Sequence, residues 1–178
     1  MLITIVRHGK TDENVDGIIQ GRENTPLNDT GRRECKFSRD KIRKIKYDLC
    51  FSSPLFRAVE TAMILVGEDT LIINDERLID RDMGKYTGKE KKELDSLKYW
   101  DYELNCTKDN VEGIREFLLR TEKFIEYLKE NHKDKNILIV THSMNIVALE
   151  SLLEDAKLKT KKSYFEVENC YHKTFKVD

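Results

Sequence analysis

The stretch Leu2-Ile3-Thr4-Ile5-Val6-Arg7-His8-Gly9-Lys10-Thr11 decides how the rest of the chain is interpreted. Its opening residues are apolar or β-branched, which predicts a buried strand. The run ends abruptly at Arg7, His8 and Gly9, so a cation and an imidazole would lie at the carboxyl edge of a sheet. In open α/β sheets, ligands bind at that edge. A single histidine at a strand end is more often structural than chemical, so other parts of the chain must support a site here.

Strands and helices are predicted to alternate along the chain. The other predicted strands are Tyr47–Phe51, Leu71–Asn74, Asn136–Val140 and a terminal hairpin of Tyr164–Val167 with Tyr171–Val177. Three helices are predicted with clear bounds, at Asp29–Ile45 after an Asn28 N-cap, at Val111–His132 and at Ile146–Leu153. Another helix is predicted to begin with Ser53 as its N-cap and Pro54 at its first position. Lys89–Tyr102 is predicted to be weakly helical. Asp12–Thr30 is expected to be a long surface loop. This alternation indicates an α/β three-layer sandwich, with a mostly parallel central sheet, helices on both faces and an antiparallel edge strand.

Composition narrows the function classes. The 178 residues suit a single domain spanning residues 1–178. Lys and Arg number 32 against 33 Asp and Glu, and this balance argues against a dedicated nucleic-acid binder. No stretch is apolar enough to span a membrane, and the N-terminal apolar run is too short for a signal peptide.

The cysteines suggest a compartment. Cys35, Cys50, Cys106 and Cys170 are widely spaced, which indicates reduced thiols in a cytoplasmic protein rather than a disulfide framework or a zinc site. The sequence leaves open whether the protein is a homodimer.

A second apolar strand also stops at a histidine. Asn136–Val140 is followed by Thr141 and His142, and Arg57 lies within the first turn of the helix predicted after Ser53. If both strands are central, two imidazoles and two guanidiniums converge at one edge of the sheet. Such a set suits a phosphoryl group, because arginine binds its oxygens bidentately and a neutral imidazole can attack phosphorus. A metal site is the alternative for paired histidines, although the flanking arginines would repel a cation.

Five ordered motifs resemble the histidine phosphatase superfamily, the phosphoglycerate mutase-like family, between residue 3 and about residue 150. The first two are Arg7-His8-Gly9-Lys10-Thr11 with Asn14, and Gln20-Gly21 followed by Thr25-Pro26-Leu27 and Gly31. The others are Ser52-Ser53-Pro54-Leu55-Phe56-Arg57-Ala58 with Thr61-Ala62, Leu78-Ile79-Asp80-Arg81-Asp82-Met83-Gly84 with Gly88, and Thr141-His142. Glu112 and Arg120 are spaced like the Glu and Arg that the family usually carries on its long helix.

The resemblance implies a role for each matching residue. His8 would be the nucleophile that becomes phosphorylated, and the phosphoryl oxygens would be held by Arg7, Asn14, Arg57 and His142. Asp80 would protonate the leaving alcohol, with His8 and His142 as the other catalytic residues. The mutase and related branches of the family usually have Glu at this position, so Asp82 is a rival for the proton donor. Ser143 follows His142 where Gly is common in the family. We expect neither a metal nor another cofactor.

The expected activity is that of a phosphomonoesterase acting on a small phosphorylated metabolite through a phosphohistidine. The region from Gly84 to Asn110 is compact, whereas cofactor-dependent mutases of the family resemble longer chains with more insertion over the site. This favours a phosphatase over a phosphoglycerate mutase, which is the main alternative. A non-catalytic phospholigand-binding protein is a third, although retention of both histidines and both arginines speaks against it.

Overall fold

The computed structural model describes residues 1–68, 70–154 and 167–177. The strands are β1 (Leu2–Arg7), β2 (Leu49–Ser52), β3 (Ile72–Asn74), β4 (Asn136–Thr141) and β5 (His172–Lys176). The α-helices are α1 (Asp12–Asp16), α2 (Asp29–Ile42), α3 (Phe56–Val66), α4 (Ser96–Trp100), α5 (Ile114–Asn131) and α6 (Ser143–Leu153). Short 3-10 helices cover Glu76–Leu78, Gly84–Tyr86, Lys91–Glu93 and Lys108–Asn110.

The five strands form one mixed sheet in the order β3-β2-β4-β1-β5. β1 pairs in parallel with β4, β4 with β2, and β2 with β3, whereas β5 runs antiparallel to β1 at the edge. The predicted parallel sheet and its antiparallel edge strand are therefore confirmed. In the β1–β4 register Arg7 lies opposite Thr141, so both strands stop at the same level of the sheet.

Alternating strand residues build one core on each face of the sheet, which confirms the three-layer arrangement. On one face the β1 and β4 isoleucines pack with α5 and α6; the main members are Ile3, Ile5, Ile137, Ile139, Phe124, Leu128, Ile146 and Leu149. On the other face the intervening residues pack with α2 and α3; these are Val6, Leu138, Val140, Ile42, Ala58, Ala62 and Leu65. The period of two follows from the pleat of a strand.

Two local predictions about helix starts are wrong. The helix after β2 begins at Phe56 rather than Pro54, and its N-cap residue is Leu55, without a side-chain cap. The Ser53 hydroxyl, expected to cap that helix, instead contacts His142. α6 begins at Ser143, three residues earlier than the apolar periodicity indicates, because its first turn carries buried polar residues.

The segment Asp12–Thr30 is not a loop throughout. Thr11 caps the five-residue helix α1, and its side chain and that of Asn14 form a reciprocal capping box. Ile19 and Leu27, farther along this segment, are buried. Lys89–Tyr102, predicted as weakly helical, contains only the short 3-10 helix Lys91–Glu93 and α4.

The C-terminal strand β5 pairs with β1, as an antiparallel edge strand. Residues 164–166 of the predicted hairpin lie outside the described residues. Within the part that the structure covers, no helix is long and apolar enough to cross a membrane. The four cysteines are free thiols, with the sulfurs of Cys35 and Cys170 3.5 Å apart. The single domain over residues 1–178 stays a prediction.

Candidate active site

The two histidines lie side by side at the carboxyl ends of β1 and β4. His8 directly follows β1, and its backbone N–H donates to the Thr141 carbonyl across 2.9 Å. His142 directly follows β4, and the two ring centroids are 5.2 Å apart. Both side chains are buried, with relative exposures of 2% and 1%. The strand register therefore brings together two residues that are far apart in sequence.

The His8 ring has a defined tautomer. Nδ1 lies 2.7 Å from the Gly9 carbonyl oxygen, which can only accept a hydrogen bond, so Nδ1 carries the proton and Nε2 carries the lone pair. Burial lowers the pKa of His8 well below its ordinary value, and the nearby Arg57 and Arg7 charges add to this effect. The imidazole is therefore neutral at neutral pH and can act as a nucleophile.

Gly9 makes the close packing behind His8 feasible. A Cβ atom at this position would lie 2.5 Å from the Cys35 sulfur and 3.0 Å from the Gly31 carbonyl oxygen. The Gly9 N–H donates to the Thr61 hydroxyl across 2.9 Å. Any larger residue would push the chain away from α2 and displace the neighbouring histidine.

Two buried guanidiniums flank the histidines. Arg57, in the first turn of α3, donates to the carbonyls of Glu23 and Gly21 at 2.7 and 2.8 Å and lies 3.3 Å from the Asp80 carboxylate. Arg7, at the end of β1, donates to the Val167 carbonyl. Burial lowers the pKa of Arg57 and takes the pKa of Arg7 to about 10, so both remain cations at neutral pH.

Three buried nitrogens in this group lack a hydrogen-bond partner among residues 1–68, 70–154 and 167–177. They are Arg7 Nε, Arg57 Nε and His142 Nδ1. Buried polar atoms without partners are rare in native proteins, and such atoms are suited to bind a ligand or an ordered water. Because the two guanidiniums carry positive charge, the complementary ligand is an anion that accepts hydrogen bonds.

Asp80 is the acidic residue that joins this group. Its Oδ2 atom lies 3.3 Å from Arg57 and 3.7 Å from His142 Nδ1, and its Oδ1 atom accepts from the Arg81 N–H at 2.9 Å. Burial raises the pKa of Asp80, against the opposing charge of Arg57. Asp82 is 44% exposed in its side chain and faces Arg22 and the Gly84 N–H instead. Geometry therefore separates the two rivals and brings Asp80 to the histidines.

Glu112, which precedes α5 rather than lying on the long helix as expected, and Arg120 of α5 hold the Asp80 segment from behind. Arg120 donates to the Asp80 carbonyl at 3.2 Å and to Glu112 at 2.8 Å. Glu112 in turn accepts from the Asp82 N–H at 3.2 Å. Both residues contact the backbone of the acidic segment and thus fix its path, which explains their spacing on and before α5.

Asn14 lines the cleft in front of Arg7 and His8. The side-chain oxygen Oδ1 of Asn14 accepts hydrogen bonds from the Thr11 N–H and from the Asn169 side-chain amide, at 3.2 and 3.1 Å. Its own amide group is therefore the part that remains for a ligand. Asn169 also donates to the His8 carbonyl at 3.1 Å, a link that the sequence did not suggest.

Lys91 is a cleft residue that sequence reasoning missed. It is partly buried, lines the cleft with Arg7 and Asn14, and forms no ion pair or side-chain hydrogen bond with any residue that the structure describes. Its backbone N–H donates to the Gly17 carbonyl at 3.0 Å, which fixes its position beside the loop before Ile19. Burial lowers the pKa of Lys91, with a further contribution from the charge of Arg7.

The remaining wall of the cleft is apolar, and the cleft itself is narrow here. This wall is formed by Ile18, Ile19, Met83 and Met144, with Gln20 and Ser143 near the histidines. Over the described ranges, no group of three or more His, Cys, Asp or Glu residues is arranged to hold a metal ion. The expectation that no metal takes part stays a prediction.

Comparisons with known proteins show what the chain is similar to. The model of the histidine phosphatase superfamily (branch 1) matches residues 3–178. The adenosylcobalamin/alpha-ribazole phosphatase of Salmonella typhi is 32% identical over 150 residues, which cover 80% of this chain and 74% of that protein. A 2,3-bisphosphoglycerate-dependent phosphoglycerate mutase of Cytophaga hutchinsonii is 30% identical over 165 residues, covering 86% and 77%. The crystal structure of the alpha-ribazole phosphatase from Shigella flexneri superposes with a TM-score of 0.83 at 25% identity, covering 100% of this chain and 91% of that one.

Proposed function

The chain belongs to the histidine phosphatase superfamily, and on that premise we propose that it hydrolyses small phosphate monoesters through a phosphohistidine at His8. The observation that carries this proposal is the set of buried donors on Arg7, Arg57 and His142 that no described residue pairs, around a neutral His8. A phosphoryl group supplies the acceptor oxygens and the negative charge that these donors lack. It also supplies the electrophile that the Nε2 lone pair needs.

In the first step, His8 Nε2 attacks phosphorus and the P–O bond to the alcohol breaks. Arg7, Arg57 and the Nδ1–H of His142 bind the phosphoryl oxygens as charge redistributes in the transition state. The proton on the Asp80 carboxyl group passes to the departing alcohol oxygen. The raised pKa of Asp80 favours the protonated form that this role requires.

In the second step, water attacks the phosphohistidine. The P–N bond breaks, its electron pair returns to His8 Nε2, and the Asp80 carboxylate accepts a proton from the water. Inorganic phosphate leaves, and both residues have regained their starting protonation states. The same carboxyl group thus serves as an acid and then as a base.

For the substrate, we propose a small alcohol that carries a second anionic group. Lys91 lies at the cleft beside Arg7 and Asn14, and its ammonium group forms no ion pair with a described residue, while Glu34 in the same pocket is paired with Lys10. Two cations at one edge of a partly buried cleft favour a ligand with negative charge beyond the phosphoryl group itself. The cleft is narrow between Ile18, Met83 and Met144, and it continues past Arg7, Asn14 and Lys91 into a wider pocket.

The second candidate is a phosphoglycerate mutase, because a relative at 30% identity carries that name. A mutase returns the phosphoryl group from histidine to a bound alcohol instead of to water. The two reactions share the first step and differ in whether phosphate is released. A cytoplasmic location and the absence of a cofactor stay predictions, and whether the protein is a homodimer stays open.

The deciding experiment measures phosphate release from a panel of phosphomonoesters, with and without 2,3-bisphosphoglycerate. The panel contains carboxylate-bearing esters, sugar phosphates and neutral alkyl phosphates. We expect release of phosphate without the bisphosphate, fastest for the anionic alcohols. Isomerisation of phosphoglycerate without net release, dependent on the bisphosphate, would establish the mutase instead. A protein that binds these esters but turns none over would refute both.

A further inference from the structure

Ser53 makes an unexpected contact for a residue at the end of a strand. Its side chain is fully buried, and Oγ lies 2.7 Å from His142 Nε2. The same oxygen accepts a weak hydrogen bond from the Leu55 N–H at 3.4 Å. Ser53 therefore does not cap α3, and its hydroxyl is directed at the imidazole.

The backbone around Ser53 holds the hydroxyl in place. The Ser53 N–H donates to the Val140 carbonyl at 2.9 Å, in continuation of the β2–β4 pairing. Val140 lies two residues before His142. The hydroxyl and the imidazole are thus positioned by the same pair of strands, so little freedom must be lost when they meet.

The direction of this hydrogen bond depends on the His142 tautomer. Burial, with Arg57 and His8 nearby, lowers the pKa of His142 well below its ordinary value, so the ring carries one proton at neutral pH. A proton on Nε2 would leave the Nδ1 lone pair facing the Asp80 carboxylate, 3.7 Å away. A proton on Nδ1 would instead direct a donor toward that carboxylate, which itself lines the cleft.

Electrostatics favours the second arrangement. The Nδ1 position faces a carboxyl group and, on the proposed function, the oxygens of a phosphoryl group. A lone pair there would be repelled by the phosphoryl oxygens and by the ionised form of Asp80, whereas an N–H is attracted to both. Nε2 must then be an acceptor, and the hydroxyl of Ser53 is the donor within 2.7 Å.

We propose that Ser53 is a positioning residue that donates its hydroxyl proton to His142 Nε2, and so fixes the other ring proton on Nδ1, where it can reach the phosphoryl oxygens. This inference deepens the proposed function and depends on it for its catalytic half. Ser53 touches neither the substrate nor the reacting atoms in this scheme. It acts by selecting one of two neutral tautomers, as the hydrogen-bond partner of a functional histidine commonly does.

The test compares Ser53→Ala with Ser52→Ala. Ser52 is an equally buried neighbour, and its hydroxyl donates to the Ser53 carbonyl at 2.8 Å without contacting either histidine. We expect Ser53→Ala to lower kcat/KM on the order of 10- to 100-fold, the range seen when the orienting partner of a metal-bound histidine is removed. Ser52→Ala should stay near wild type. Thermal unfolding monitors whether each variant is folded.

A second readout observes the tautomer directly. In protein labelled with nitrogen-15 at histidine, long-range proton–nitrogen NMR identifies which ring nitrogen of His142 carries the proton, with His142→Asn as the assignment control. We expect Nδ1–H in wild type and in Ser52→Ala, and a mixture of tautomers in Ser53→Ala. The proposal is overturned if Ser53→Ala keeps Nδ1–H, or if its kcat/KM equals that of Ser52→Ala.

The NMR measurement requires no turnover, so it separates the two levels of the argument. If the wild-type protein releases no phosphate from any ester, the proposed function is contradicted. The catalytic role of Ser53 is then contradicted as well. Active protein with an unchanged Ser53→Ala spectrum contradicts only the role of Ser53.

Discussion

The imidazole rings of His8 and His142 lie 5.2 Å apart and are anchored through different nitrogens. His8 is held at Nδ1 by the Gly9 carbonyl, whereas His142 is held at Nε2 by the Ser53 hydroxyl. The nitrogen that remains for a ligand is therefore Nε2, with its lone pair, on His8 and Nδ1, with its N–H beside the Asp80 carboxylate, on His142. This asymmetry allows neighbouring histidines to take the distinct roles of nucleophile and hydrogen-bond donor.

Replacing Arg57 with Lys should lower kcat/KM by about 100-fold, the loss typical of one removed oxyanion donor. The guanidinium contacts Gly21, Glu23 and Asp80 while leaving Nε for a ligand, and an ammonium group cannot reproduce this planar arrangement. Steady-state kinetics with the ester that wild type hydrolyses fastest measures this loss. The matched control is Arg39→Lys, an exposed arginine on α2, and equal activity of the two variants would place Arg57 outside the site.

Asp80→Asn should impair hydrolysis of alkyl phosphates far more than that of p-nitrophenyl phosphate. An alkoxide needs a proton to leave, and general acid catalysis supplies about 100- to 10,000-fold, whereas p-nitrophenolate leaves without help. Asp82→Asn is the control, since its carboxylate faces Arg22. If Asp82→Asn shows the dependence on the leaving group instead, the donor has been misassigned.

The pH dependence of turnover follows from the shifted pKa values of Asp80 and His8. Turnover of an alkyl phosphate needs Asp80 protonated and His8 neutral. Burial raises the pKa of Asp80 and lowers that of His8, so both conditions hold together over a wider range than ordinary values allow. The ratio of alkyl to p-nitrophenyl phosphate activity should fall as pH rises through the raised Asp80 pKa. Asp80→Asn should abolish this fall; its persistence would point to another acid.

Lys91→Gln should weaken the binding of only those substrates whose alcohol bears an anionic group. A hydrogen bond to a charged group contributes about 1.5 to 3 kcal/mol, and partial exposure favours the lower end, so KM should rise by about tenfold. The measurement compares 3-phosphoglycerate with ethyl phosphate. Lys92→Gln is the control, because Lys92 is exposed and paired with Glu90 at 2.7 Å. Equal KM changes for both substrates would argue against an anion subsite at Lys91.

Much of the fold could be predicted because each central strand is a continuous apolar run in the sequence. Leu2–Val6 and Asn136–Val140 are apolar runs bounded by polar residues, and burial on both faces of the sheet requires such runs. The motifs placed His8, Arg57 and His142 at one edge, as the structure has them. The helix α1 was missed because its five residues carry no apolar periodicity and only its caps define it.

The contacts that refine the site were not predictable from the sequence. Ser53 precedes a proline, as an N-cap serine would, and only the β2–β4 register shows that its hydroxyl reaches His142. Lys91 belongs to a run of charged residues, so no local pattern distinguishes it from the exposed Lys92. The separation of Asp80 from Asp82 likewise depends on long-range packing, through Arg57 and Arg120.

The most direct test of phosphoryl transfer through His8 is to trap the covalent intermediate and locate it. Protein is mixed briefly with a phosphorus-32-labelled ester, quenched in base and mapped by peptide mass spectrometry under neutral conditions. We expect acid-labile, base-stable label on the peptide that contains His8, and none in His8→Ala, whose turnover should also vanish while its fold persists. Label of the same kind on His8→Ala, or turnover retained by that variant, would contradict the mechanism.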